Sequence, residues 1–149
     1  MELRNYVNGK FVESLSKKDI PVINPANQEI VGCIDEALDE EIELAFSSAS
    51  KAFKKRILQD MDSVIKSQIM RSIASKLREY KKHGSKILSQ ENGKTLEQCE
   101  GEFEGAANVF DYYAGLTDKI ENKLIPSGKD TFNYIVLEPF GVSLQIVPW

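Results

Sequence analysis

The stretch LEPFGVSLQIVPW, Leu137–Trp149, decides how the rest of the sequence is read. From Val142 to Val147 apolar residues first alternate and then run together, the pattern of a buried strand. Pro139 and Gly141 interrupt what precedes it. Trp149 carries a large apolar ring that is costly to leave in water. The ends of whole domains are ordinarily polar and frayed. We therefore expect a strand after which a turn or a ligand site follows, and a sequence that is a piece of something longer.

Composition sets wide bounds. The 149 residues are 42% hydrophobic and 28% charged, an ordinary globular balance that excludes only disorder and collagen-like chains. The net charge of −4 provides no basic field, so neither a nucleic acid nor an anionic membrane is expected as a partner. No apolar run reaches the length of a membrane span, and the opening MELRNYVNGK is charged where a secretory signal would be apolar. A cytoplasmic location is the expectation. Cys33, Cys99 and His83 are too few and too far apart for a disulfide framework or a zinc site. Both cysteines read as small buried hydrophobes.

Working back from the strand, TFNYIVLE (131–138) also reads as extended, from its β-branched and aromatic content. Residues 115–130 read as a turn-rich connection. At the other end, Asn8-Gly9 sits between two short apolar-containing runs in NYVNGKFVES, which predicts a hairpin with a type I′ turn. A second hairpin is expected from Val22 and Ile23, through the turn at Asn24-Pro25-Ala26-Asn27, to Ile30–Ile34.

From about residue 39 the period becomes helical. Ile42, Ala45, Phe46, Ala49, Ala52 and Phe53 recur at three and four, with Asp39, Glu40 and Glu41 at the electropositive start. A second helix is predicted from about Met61 to Lys82 on the stripe Ile65, Ile69, Ile73, Leu77 and Tyr80, ending at His83-Gly84. A short helix follows around Ile87 and Leu88, and Gly93 breaks it. A further helix starts near Thr95, with Leu96, Cys99, Phe103, Ala106, Ala107, Phe110 and Ala114 on its apolar face.

No catalytic constellation is visible in these residues themselves. ENGKT resembles a phosphate-loop ending, but Leu88 stands where that loop needs its earlier glycine, so Gly93 reads as a glycine at a helix junction. Glu97, Glu100, Glu102 and Glu104 could supply an acid–base pair, although a solvated acidic face is the commoner meaning. His83 reads as part of a surface helix end.

Taken together, NYVNGKFVES, VINPANQEIVGCI, SASKAF, ENGK, FDYYAG and LEPFGVSLQIVPW resemble the N-terminal portion of the NAD(P)-dependent aldehyde dehydrogenase superfamily, over essentially the whole chain. The resemblance implies an incomplete α/β fold: N-terminal β-hairpins, helices, a bridging strand, and the first strand of the cofactor domain's parallel sheet. Residues 121–139 would contribute to the sheet that joins subunits. Ile146, Val147, Pro148 and Trp149 would line the NAD or NADP site at that sheet's C-terminal edge, where open α/β sheets bind ligands. The carbonyls of Val22 and Ile23 with the carboxylate of Glu91 match a monovalent-cation site of some members. Phe110 and Tyr113 lie on the helix that borders the family's aldehyde pocket. One departure is that KKRILQDMDSVIKSQIMR (54–71) lacks the tryptophan often found near the junction of the first two helices.

The complete enzyme implied by this resemblance oxidises an aldehyde to a carboxylic acid through a thiohemiacetal and a thioester. It needs a cysteine nucleophile, an oxyanion-binding asparagine, a glutamate base and a ribose-binding lysine. The resemblance puts all of these after residue 149 and gives neither Cys33 nor Cys99 the nucleophile's place, so no catalytic residue is assigned here and the chain alone is expected to be inactive. A dimer or tetramer is expected of the complete enzyme. The alternative is a non-catalytic truncated module or relic that docks with a companion chain.

Overall fold

The computed structural model describes residues 2–16 and 18–147. Seven short strands and three helices follow in the order β1 (Glu2–Leu3), β2 (Asn5–Val7), β3 (Lys10–Val12), β4 (Asp19–Ile23), β5 (Ile30–Asp35), α1 (Asp39–Lys54), α2 (Ser63–Asn92), α3 (Leu96–Ala114), β6 (Lys123–Ile125) and β7 (Asn133–Ile135). Strands β2 and β3 form the expected hairpin, with Asn8 at φ 52° and Gly9 at φ 79°, the left-handed pair that a type I′ turn requires. Strands β4 and β5 form the second hairpin. Pairing of β1 parallel to β5 makes it a three-stranded mixed sheet in the order β1-β5-β4.

The start of α1 is fixed by one carboxylate. Glu41 Oε2 accepts from Leu38 N at 3.0 Å and Leu15 N at 3.4 Å, which is the reciprocal half of a capping box. Leu38 itself has no polar side chain to supply the other half. The residue is 7% exposed, and its bonds, the Leu38 N–H foremost, hold its acid below the usual carboxylate value despite the opposing effect of burial. Glu41 thereby ties the strand-exit segment 14–16 to the helix.

Helix α2 does not stop at Gly84. It runs unbroken to Asn92, so the predicted break at His83-Gly84 and the separate helix around Ile87 are corrected. Gly84 is buried in the face that meets α3. A Cβ placed on it would lie 2.2 Å from Phe103 Cζ and 2.7 Å from Cε1. The glycine is there because the Phe103 ring occupies the space of a side chain, not because the helix ends. Small residues continue the seam: Ala74 and Ser85 on α2, and Cys99, Ala107 and Ala114 on α3, are all buried. The guanidinium of Arg78 clamps the seam from outside, with Nε 2.8 Å from Glu104 Oε1, Nη1 2.8 Å from Asp111 Oδ2 and Nη2 2.8 Å from Asn108 Oδ1. The true end of α2 is Gly93, at φ 79°, whose N–H donates to Ser89 O at 2.9 Å.

The apolar stripe expected to bury α2 lies elsewhere. Ile65, Ile69, Ile73 and Tyr80 remain 37–51% exposed, because the small-residue face takes the contact with α3. Ile42 and Phe46 of α1 are more than half exposed as well. Beyond α3, β6 and β7 pair as an antiparallel ribbon. Strand β6 falls in the stretch read as connection, and β7 is shorter than the predicted 131–138. Residues 142–147, expected as a strand, have no ladder partner among the described residues. A strand needs a neighbour to satisfy its backbone. The chain as a whole exposes 12202 Å², against about 7,700 Å² for a compact monomer of this mass.

Two expectations test these packing assignments. Glycine-to-alanine changes inside helices normally stabilise by about 1 kcal/mol, whereas Gly84→Ala is expected to destabilise by about 1–3 kcal/mol through overpacking. In the Phe103→Ala background that penalty should vanish. Denaturant midpoints of the four proteins measure it, and equal effects in both backgrounds would contradict the contact. For Glu41, a lowered native pKa means stability that is complete above the ordinary value of 4.5 and is lost as pH falls through the depressed one. Glu41→Gln should therefore be less stable at neutral pH and lose less on acidification. Parallel stability profiles from about pH 6 to about pH 3 would contradict that assignment.

Candidate functional site

Most of the residues that invite a catalytic reading have structural partners or lack access. Thr95 caps α3, its Oγ1 accepting from Gln98 N at 3.3 Å while Gln98 Oε1 accepts from Thr95 N at 3.1 Å. Lys94 pairs with Glu102. The hydroxyl and the ammonium that a phosphate loop would use are thus engaged in starting a helix. Glu104 is paired with both Arg78 and Lys81, and these two cations, Arg78 first, hold its acid below the usual range. A general acid needs the opposite shift. Glu97 and Glu100 are exposed. His83 lies mid-helix on the surface, its ring edge-on to Tyr80 at 5.0 Å. Cys99 is fully buried, out of reach of a substrate. Cys33 is half-buried on β5 across the ladder from Pro21. No group of three or more His, Cys, Asp or Glu able to hold a metal occurs among the described residues.

Two regions named by the resemblance have a geometry to report. The first is the junction of β4 with the end of α2. The β4–β5 register shifts between Val22 and Ile23, where Val22 faces Gly32 and Ile23 faces Ile30. Such a bulge turns backbone groups out of the regular ladder. Helix α2 contacts β4, and a Cβ on Gly93 would lie 2.8 Å from Pro25 Cγ in the turn that follows the strand. The last turn of α2, which carries the half-buried Glu91, therefore lies against the end of the strand that carries Val22 and Ile23. Two carbonyls and one carboxylate are hard oxygen donors, the kind that suits an alkali or alkaline-earth cation.

The second region is the segment after Gly141. A Cβ on that glycine would be 3.7 Å from Phe53 Cε1, so the chain passes over the end of α1 on its way into 142–147. Ile146 and Val147 are 88% and 79% exposed, and among the described residues no backbone bond joins 142–147 to a neighbour. Apolar side chains and open backbone groups of this kind fit the lining of a cofactor site. Pro148 and Trp149 lie outside the described residues. On α3, Phe110 is half-buried, and Tyr113 is exposed with its ring edge-on to Tyr112 at 5.3 Å.

Sequence reasoning missed β1, β6, the buried Glu41 and the Arg78 clamp. Glu41 had a local signal, an acid at the third position of a helix. Arg78 had none, since its partners lie 26 to 33 residues away.

Comparisons with known proteins bear on the family and the fold. The sequence profile of the aldehyde dehydrogenase family matches residues 11–149. The chain is 32% identical over 145 residues to betaine aldehyde dehydrogenase of Bacillus subtilis, covering 97% of this chain and 30% of that protein. It is 32% identical over 151 residues to the peroxisomal aminoaldehyde dehydrogenase 1 of Pisum sativum, again with 97% and 30% coverage. Among solved structures, betaine aldehyde dehydrogenase from Staphylococcus aureus in complex with NAD+ superimposes with a TM-score of 0.80 at 32% identity, over 85% of this chain and 25% of that one. An aldehyde dehydrogenase from Bacillus cereus gives a TM-score of 0.83 at 27% identity over 90% and 28%. The chain spans about 30% of the length of the curated relatives it matches. With family profile, sequence and fold in agreement over most of its length, the chain belongs to the aldehyde dehydrogenase family.

Proposed function

We propose that this chain is the N-terminal portion of an enzyme that oxidises an aldehyde to a carboxylic acid with NAD as electron acceptor. The single observation that carries the reading is the family match over residues 11–149. The presence of NAD+ in the Staphylococcus aureus relative favours NAD over NADP. When bound, the nicotinamide accepts a hydride from the substrate carbon.

The chain's own residues would hold and orient rather than react. Residues 142–147 would become the first strand of the cofactor sheet once a neighbouring strand satisfies their backbone. Ile146 and Val147, with Pro148 and Trp149, would line the cofactor site at the strand's end and keep water from one side of it. The carbonyls of Val22 and Ile23 and the carboxylate of Glu91 would hold a monovalent cation, pinning the β4 bulge to the end of α2. Residues 121–139, including the exposed β6–β7 ribbon, would join subunits of a dimer or tetramer. No helix in the described residues is long and apolar enough to cross a membrane, and the proposal includes a cytoplasmic location. The companion-chain reading shares all of these roles and differs only in whether the catalytic cysteine, asparagine, glutamate and lysine are supplied by a second polypeptide.

The test uses the native protein that carries this sequence. Reduction of NAD+ on addition of betaine aldehyde or a simple aliphatic aldehyde is the expected result, and failure to reduce NAD+ with any aldehyde of a broad panel would overturn the reading. Fractionation into an organelle would count against the cytoplasmic placement. For the cation site, potassium in place of a large organic cation should raise the melting temperature of the wild type. Glu91→Gln should lose most of that response, and an unchanged response would remove Glu91 from the site.

A further inference from the structure

The β2–β3 hairpin, α1 and the residues just after it border an open groove that none of the roles above uses. Its volume is about 500 Å³, within the 300–1,000 Å³ typical of small-molecule sites. Val7, Val12, Leu44, Ala52 and Ile57 supply its apolar lining, and Val7 is 8% exposed. Ser48 Oγ donates to Asn8 Oδ1 at 3.1 Å, fastening the hairpin turn to the helix at one side of the groove.

The remaining lining residues are Lys10, Lys51 and Lys55. No aspartate or glutamate lines the groove, and among the described residues none of the three lysines forms an ion pair. Lysines at the end of a helix are favoured by its dipole, which accounts for Lys51 and Lys55. It does not account for Lys10, which comes from the hairpin and lines the same groove. Three lysines from two parts of the chain thus border one apolar-lined groove with no carboxylate in its lining, in a chain whose net charge is −4.

We propose that this groove binds a monocarboxylate with an aliphatic body. The carboxylate would be met by the lysine ammoniums, which suit a compact anion because each is a mobile point charge rather than a planar fork. The aliphatic body would lie on Val7, Val12, Leu44 and Ile57. Charge alone would admit inorganic anions and the apolar lining alone would admit alcohols. The combination selects a molecule with both parts.

The test is calorimetric titration of the native protein, without nicotinamide cofactor or aldehyde, with octanoate, 1-octanol and inorganic phosphate. Octanoate is expected to bind more tightly than either control and to weaken as salt is raised. The double variant Lys51→Met, Lys55→Met keeps most of the aliphatic stems and removes two charges, and should weaken octanoate by about tenfold or more. Lys10→Met, on a different element, should weaken it in the same direction, so a folding defect in one variant does not decide the matter. Circular dichroism confirms that each variant is folded. Octanoate binding that ignores all three lysines belongs to another site and overturns the proposal. Absence of octanoate binding overturns it too, and so does phosphate binding as tight as octanoate. Aldehyde oxidation is not read out, so failure here leaves the assignment of that activity untouched.

Discussion

Everything else in this chain is arranged around the close approach of α2 to α3. A 30-residue helix can lie flat against another only if side chains do not hold the two apart, and here glycine, alanine, serine and cysteine line the seam while the Phe103 ring fills the space over Gly84. Interiors pack at the density of organic crystals, so a single ring and a missing Cβ set the spacing. Arg78 then fixes register, because its fork reaches Glu104, Asn108 and Asp111, three positions spaced along one face of α3. With that spacing set, the end of α2 is delivered to the β4–β5 turn, where Gly93 and Pro25 meet.

Features written in local chemistry were legible. Asn8-Gly9 announced its hairpin because few other pairs tolerate two positive φ values. Thr95 and Gly93 announced a helix start and stop because capping is a short-range bond. Gly84 was misread for an equally physical reason. A glycine that ends a helix and one that admits a neighbouring ring look alike in one dimension, and only the position of Phe103 distinguishes them. The α2 stripe was seen, but periodicity reveals an apolar face and not what covers it, and the contact with α3 is made by the small residues instead. Strands β1 and β6, at two and three residues, are too short to carry a pattern.

The proposed sites rest on resemblance alone. A cation held by two carbonyls and one carboxylate, as proposed, would leave no side-chain signature at Val22 and Ile23. A cofactor edge contacted partly through backbone atoms would leave none at Ile146 and Val147. Of the residues that did look chemical, Lys94 and Thr95 in the ENGKT stretch serve the start of α3, Lys94 through its pair with Glu102, and Glu104 binds that helix to α2. Charged residues in ion pairs and charged residues in active sites share a composition, and geometry separates them.

We propose that the face of α1 carrying Ile42 and Phe46, the outer side of α2 and residues 142–147, all exposed here, are inner surfaces of a larger α/β assembly. Amide hydrogen exchange on the native protein tests that most directly, because protection of a backbone N–H requires a partner. Residues 142–147, which have no ladder partner among the described residues, are expected to be protected as strongly as the α2–α3 seam. Exchange there at the rate of an unstructured peptide, with the seam fully protected, would contradict it.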